Sequence, residues 1–294
     1  MKFLIAVGSK DYSEPTLRVG MRVANAFKAE VTIIYVGPKI NEFTASQVRL
    51  AQERMDQWDF DRPGVEVLNW AFNFLAERKY ILPVTIESGF RKNTLVPTGG
   101  TRAELYLQGT VCKNVNLILR NGDIISELRD EVSSGGFDVT IIGGSQKRRM
   151  AHNLVQYINS SIFVVNEFDY GEKYHLLLPV DDSKSTPRAV RYGMQIAKAF
   201  DIQVDLLTVS KTDKFGAGYR GASERAAKLL KKVNIKHKIH LKTGDPSSEI
   251  VKMAGNNHII VMGVSTKNPL VKFLTGSKPL KVMEESSCPI LIVK

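Results

Sequence analysis

Near the C-terminus, Met262-Gly263-Val264-Ser265-Thr266 is followed, nine residues on, by Gly276-Ser277. Glycine lets a backbone approach a ligand closely and adopt a positive φ. The apolar run before it, Ile259-Ile260-Val261, is short and β-branched and reads as a buried strand. After it, Ser277-Lys278-Pro279-Leu280 offers a serine suited to an N-cap and an early proline suited to a first helical turn. Strand, glycine loop and helix start together collect backbone N–H groups at the positive end of a helix, a device for holding phosphate. The same residues also suit an ordinary βα loop, so the rest of the chain must decide.

The elements around this loop read as alternating strands and helices. His175–Val180 is a strand, and Thr186-Pro187 opens an amphipathic helix reaching Phe200, with Val190, Met194, Ile196 and Ala197 on its buried side. Strands follow at Gln203–Val209, Ile235–Lys242, His258–Met262 and Ile290–Val293. Helices fall between them at Ser223–Val233, Ser247–Ala254 and Ser277–Glu285. This rhythm implies a parallel sheet covered by helices on both faces. Ligands of such sheets sit beyond the carboxyl ends of the strands, at the switch point of the strand order. Asp181, in Pro179-Val180-Asp181-Asp182-Ser183, stands at one such strand end. A carboxylate there can accept from an adenine amino group or a ribose hydroxyl, or can serve as a helix-start acid ahead of Thr186.

The chain repeats itself. Gly20-Met21-Arg22-Val23-Ala24-Asn25-Ala26-Phe27 matches Gly193-Met194-Gln195-Ile196-Ala197-Lys198-Ala199-Phe200, and the same offset superposes Val31–Val36 on Val204–Val209. Gly122-Asp123 and Ser126-Glu127-Leu128 match Gly244-Asp245 and Ser248-Glu249-Ile250 at an offset about fifty residues smaller. Two copies of one domain are therefore expected, at 1–170 and 171–294, the first with an insertion at about 61–113. Within that insertion Val65–Arg78 reads as a helix, and Leu82–Glu87 with Ala103–Gln108 as a strand pair around Gly99-Gly100.

Composition narrows the classes. With 294 residues, 43% hydrophobic and 24% charged, the chain reads as globular with a substantial core. No apolar stretch approaches membrane-spanning length, and the N-terminal run is too short for a signal peptide, so a cytoplasmic protein without a membrane is expected. Cys112 and Cys288 make no disulfide framework, and five scattered histidines form no paired-ligand pattern, so no metal is expected. Of the net charge of +11, residues 171–294 carry +10 and residues 1–170 carry +1. A basic half-chain suits an anionic partner or simply a solvated surface. No interleaving of aromatics with the cations supports a nucleic-acid platform.

The second copy resembles the universal stress proteins, here in tandem form. The pattern is an Asp after the first strand, Gly-Asp-Pro before the third helix, a Gly-x-x-Gly-x9-Gly-Ser loop, and Cys-Pro before an apolar last strand. The chain has Asp181, Gly244-Asp245-Pro246, Gly263, Gly276-Ser277 and Cys288-Pro289-Ile290-Leu291-Ile292-Val293 at those places. One position departs: Thr266 stands where the loop has its second glycine. The resemblance implies two tandem doubly wound parallel five-stranded sheets (adenine-nucleotide α-hydrolase-like). They would be packed as a pseudo-dimer through Ile162–Val165 and Ile290–Val293, with a further homodimer left open. It also implies an ATP or ADP site, with Mg2+ an open companion. Adenine would lie near Pro179, Asp181 and the backbone of Val209. Met262 and Gly263 would border the ribose and first phosphate, and Thr266, Gly276 and Ser277 the phosphate tail. Lys267, Lys272 and Lys278 are cations nearby.

The first copy has Gly8 in place of Asp181, and between Gly144 and Val165 about nine loop residues fewer than the second copy. A non-binding scaffold is expected there. Ser134-Gly135-Gly136-Phe137-Asp138 resembles a pyrophosphate loop but ends a helix and opens a strand, the wrong context. Asn159-Ser160-Ser161 is a sequon without a secretory signal. No catalytic constellation, complete P-loop or His-x-Gly-His motif is visible. The expectation is a stress-response nucleotide-binding regulator with at most slow ATP hydrolysis, or, in rivalry, an interaction scaffold of the same fold.

Overall fold

The computed structural model describes residues 1–39, 64–90, 95–99, 102–144, 148–166, 168–264 and 278–294. Among them, twelve strands and nine helices alternate. The first half contains β1 (Lys2–Val7), α1 (Lys10–Ala26), β2 (Glu30–Gly37), α2 (Val65–Glu77), α3 (Pro83–Ser88), β3 (Val96–Gly99), β4 (Arg102–Gln108), β5 (Asn114–Asn121), α4 (Ile124–Gly135), β6 (Val139–Gly143), α5 (Arg148–Tyr157) and β7 (Ser161–Val165). The second contains β8 (His175–Pro179), α6 (Thr186–Phe200), β9 (Val204–Ser210), α7 (Ala217–Lys232), β10 (His237–Thr243), α8 (Pro246–Ala254), β11 (His258–Gly263), α9 (Lys278–Glu285) and β12 (Ile290–Val293).

All twelve strands lie in one sheet, ordered β10-β9-β8-β11-β12-β7-β6-β1-β2-β5-β4-β3. Each half supplies five parallel strands in the same relative order, so the doubly wound plan appears twice. The central strands are continuous apolar runs because helices cover both faces; Ser161–Val165 and Ile290–Val293 are buried at every position. The two halves join where β12 and β7 run antiparallel, with Leu291 opposite Phe163. This pairing within one chain satisfies two edges that would otherwise be open to other strands. The helices meet across the same joint: Arg22 on α1 donates from Nε to the Ala199 carbonyl at 2.8 Å, and the Phe27 and Tyr192 rings lie 5.1 Å apart. On the opposite face, His152 Nδ1 of α5 meets Glu284 Oε1 of α9 at 2.6 Å.

The outer edges are protected differently. β10, His-Lys-Ile-His-Leu-Lys-Thr, is largely solvent-facing and carries lysines, which discourage edge pairing. At the other end, β4 and β3 add two antiparallel strands beyond β5, so the first half contributes seven strands to a mixed sheet. The segment Leu82–Glu87, expected as a strand, is instead the short helix α3. Pro83 at its first position cannot donate to a ladder but suits a helix N-terminus. The hairpin partner of β4 is Val96–Gly99. Helix α2 packs against α1, β2 and β5, as α7 packs against α6, β9 and β10. Helix α7 begins at Ala217, six residues before the expected Ser223, because Ala217–Ala222 continues the helical spacing that ends with Ala226 and Leu230 buried.

Candidate functional site at the strand ends of the second half

β8 and β11 are hydrogen-bonded neighbours, with Ile260 opposite Leu177, and β9 flanks β8 with Leu207 opposite Pro179. The carboxyl ends of these three strands therefore bring together Pro179, Asp181, Val209, Met262 and Gly263, residues far apart in the chain. Helix α6 leaves β8 for one face of the sheet, packing with α1 and β8, while α9 packs with α8 on the other. The switch point of the strand order falls where those crossovers diverge, the place where sheets of this plan take ligands.

Asp181 follows the buried Val180 and begins the short loop into α6. Its Oδ1 accepts from the Thr186 hydroxyl at 2.7 Å and from the Ser183 backbone N–H at 3.0 Å. The Ser183 hydroxyl in turn lies 3.0 Å from that of Ser185. Partial burial pushes the Asp181 carboxyl up, but the hydrogen bonds from Ser183 and Thr186, helped by the Lys278 ammonium, hold it below the usual carboxylate range. The group is an anion at neutral pH, and one of its oxygens closes the loop that starts α6. Of the two roles considered for Asp181, the contacts show the helix-start one, made through Oδ1.

Gly263 pairs with Val293, and the next N–H, of Val264, donates to the Val293 carbonyl at 2.9 Å. A β-carbon at Gly263 would stand 2.6 Å from Ser185 Oγ, so only glycine lets β11 pass this close to the β8–α6 loop. Met262 is buried beside it and Val209 is half-buried. Thr266, Gly276 and Ser277, with Lys267 and Lys272, lie outside the described residues; Lys278, the first residue of α9, is exposed.

The corresponding place in the first half differs at each step. Gly8 replaces Asp181, and the Ser13 hydroxyl, in the position of Thr186, accepts from the Gly8 N–H at 2.8 Å. The register also corrects the matching of the loops. Gly143, not Gly144, pairs with Val165 as Gly263 pairs with Val293, and the Gly144 N–H bonds the Val165 carbonyl as that of Val264 bonds Val293. From Gly143 to Val165 is 22 residues, against 30 from Gly263 to Val293, so the connection is eight residues shorter rather than nine. Asn166 fills the space beside it, its Oδ1 only 1.9 Å from where a β-carbon on Gly144 would sit. The Gly135-Gly136 pair ends α4 as expected, with Gly136 in the left-handed conformation at the C-cap.

One cluster escaped the sequence reading. His175, Asp205 and His258 converge at the amino ends of β8, β9 and β11, the opposite end of the sheet from Asp181, and His240 reaches Asp205 from the middle of β10. They are up to 83 residues apart in sequence and no local motif joins them. The one trace in the sequence is a polar residue within otherwise apolar strands, as at Asp205 in β9 and His258 in β11. Both cysteines are buried, and burial pushes the Cys112 thiol up to about 11. No described helix is long and apolar enough to cross a membrane.

The twofold-repeated, doubly wound sheet defines a tandem α/β protein of the adenine-nucleotide α-hydrolase-like fold. The model of the universal stress protein family matches residues 174–294. A universal stress protein of Methanocaldococcus jannaschii is 30% identical over 159 residues, covering 48% of this chain and 92% of the relative. The chain belongs to the universal stress protein family. Across its whole length the fold is similar to a universal stress protein structure from Pseudomonas aeruginosa (TM-score 0.60, 11% identity, 92% of that chain). It is likewise similar to one from Archaeoglobus fulgidus (TM-score 0.57, 15% identity, 100% of this chain and 96% of that one).

Proposed function

We propose that residues 171–294 bind one adenine nucleotide, ATP or ADP, in the crevice beyond β8, β9 and β11, and that residues 1–170 act as a non-binding scaffold. The protein would then be a nucleotide-responsive regulator in the stress response, with at most slow ATP hydrolysis. The observation that carries this reading is the ionised Asp181 held beside the Gly263–Ser185 contact at the strand ends. Asp181 and the Val209 backbone suit an adenine or ribose, and the Met262–Gly263 backbone suits the sugar and first phosphate. The segment Thr266–Ser277, entering α9, suits a phosphate chain held by backbone N–H groups. Gly8 and the shorter connection after β6 remove the equivalent features from the first half.

A second reading, an interaction scaffold with no nucleotide, is favoured by one residue. Thr266 replaces a loop glycine, and a β-branched residue is costly wherever φ must be positive. Calorimetric ATP titration of wild type, Thr266→Gly and Gly276→Val under one salt condition separates the two readings. One site per chain is expected in wild type. Thr266→Gly should bind about tenfold to a hundredfold more tightly, the worth of one recovered hydrogen bond to phosphate, less a little for the loosened free loop. Gly276→Val should nearly abolish binding. If wild type and Thr266→Gly both fail to bind, the scaffold reading holds.

A further inference from the structure

His175, Asp205 and His258, at the amino ends of β8, β9 and β11, and His240, midway along β10, have a defined geometry. Asp205 on β9 is buried, at 5% exposure. Its Oδ2 lies 2.8 Å from His175 Nδ1 and 3.4 Å from His258 Nε2, and its Oδ1 lies 2.9 Å from His240 Nε2. His175 and His258 stand opposite each other in the β8–β11 register, their rings 5.5 Å apart and edge to face. On its far side, His258 Nδ1 lies 2.8 Å from the Ala254 carbonyl at the end of α8.

That last contact assigns the His258 proton. A carbonyl oxygen only accepts, so Nδ1 carries the hydrogen and, in the neutral ring, Nε2 carries a lone pair. Nε2 then faces the Asp205 carboxylate, another acceptor, with no hydrogen between them. A second ring proton or a cation bound by both removes the conflict. The separation of 3.4 Å is too long for a good N–H···O bond. It equals the distance between two ligand atoms of a tetrahedral ion with metal–ligand bonds of about 2.0–2.1 Å, which is roughly 3.3–3.4 Å.

We propose that His175, Asp205 and His258 form a binding site for one Zn2+ ion, with the fourth position taken by water. The donor set of two imidazoles and one carboxylate suits zinc rather than magnesium or calcium, which prefer oxygen ligands throughout. One ligand atom from each of His175, Asp205 and His258 falls within 4.8 Å of the others, so closing on an ion requires side-chain shifts only: His175 Nδ1 must draw back from the carboxylate by about half an ångström and turn toward His258. The outer contacts are those such sites use. The Ala254 carbonyl orients His258, and His240 holds the second oxygen of Asp205. His240 is therefore a positioning residue. The site lies at the end of the sheet away from the nucleotide crevice and stands independently of the nucleotide reading. Its ion would tie β8, β9 and β11 together at their starts.

The test is Zn2+ titration of the chelator-stripped full-length protein, followed by calorimetry, thermal melting and the visible spectrum of a Co2+-substituted sample. Expected are one ion per chain at micromolar Zn2+, a rise in Tm on loading, and the absorption of four-coordinate Co2+. His258→Gln and Asp205→Asn should lose all three, and His240→Gln should bind about tenfold to a hundredfold more weakly. His152→Gln and His237→Gln, which change the two histidines outside the cluster, should bind as wild type. If either core variant fails to fold, His175→Gln decides, because that side chain is 41% exposed and its loss leaves the core intact. No binding by wild type, or stoichiometric binding that survives His175→Gln and His258→Gln, overturns the proposal.

Discussion

A β-carbon on Gly263 would stand 2.6 Å from the hydroxyl oxygen of Ser185 and 3.1 Å from its carbonyl carbon. These two residues, 78 positions apart, are where β11 and the β8–α6 loop touch, and the contact sets the floor of the proposed crevice. Gly263→Ala must push one of them away. Overpacking of this kind costs about 1–3 kcal/mol. Urea unfolding should show that loss, and ATP titration should show weaker binding, because Asp181 moves with its loop. An alanine variant of wild-type stability and affinity would mean that the contact relaxes freely.

Asp181 supplies a pH signature. Its carboxyl is held below the ordinary value of 3.8, so folding favours its ionised form. That contribution is fully present above about pH 4 and disappears as pH falls through the lower folded value. Asp181→Asn keeps an acceptor for Thr186 but loses the charge. At pH 7 the variant should be less stable by about 1 kcal/mol, a figure reduced for the half-exposed position. The gap between the two proteins should close as pH falls through the folded value. A constant gap from pH 7 to pH 2, measured by urea unfolding, would assign the effect to packing rather than charge.

Phe163 is fully buried on β7 opposite Leu291 on β12, at the joint between the halves. Phe163→Ala leaves a cavity where both cores meet and should cost about 3–5 kcal/mol. A loss below about 1 kcal/mol in urea unfolding would mean that the joint contributes little to the folded chain.

Gly8 has no atom within 4 Å of where a β-carbon would sit, and Ser13 already occupies the place of Thr186. Gly8→Asp should therefore fold normally, with a stability change within about 0.5 kcal/mol. It should not create a second nucleotide site, because the connection after β6 remains eight residues short and Asn166 still fills the space beside Gly144. Calorimetry should return one ATP per chain. Two would show that the missing acid alone disables the first half.

Much of the architecture was readable because local chemistry and global plan agree. The run from Thr186-Pro187 to Phe200 forms the helix with those limits, and Ile290–Val293 forms the last strand. Gly20–Phe27 and Gly193–Phe200 betray the duplication because both copies need the same small residues where a helix crosses its sheet. Asp245 and Asp123 each cap a helix by accepting from the N–H three residues on, as their matched positions imply. Leu82–Glu87 misled because β-branched residues suit strands; pairing stops after Ile81 and Leu82, and Pro83, which cannot donate to a ladder, opens a helical turn instead.

The amino-acid sequence alone determined the repeat, the parallel order of elements within it and the strand ends on which a ligand would sit, since each follows from periodicity and turn chemistry over a few residues. It also marked which half retains the acid and the Gly-Ser pair. The merging of the two sheets through β7 and β12 was expected from the family resemblance and is what the structure shows, but the residues by themselves do not record it, because strand-edge pairing depends on which backbones meet in space. Register likewise aligned Gly143 with Gly263, a one-residue choice the apolar pattern leaves open where strands are buried on both faces. The gathering of three histidines on Asp205 belongs to the same class. Side chains on four parallel strands become neighbours through hydrogen bonding between strands, and nothing in their spacing along the chain records it.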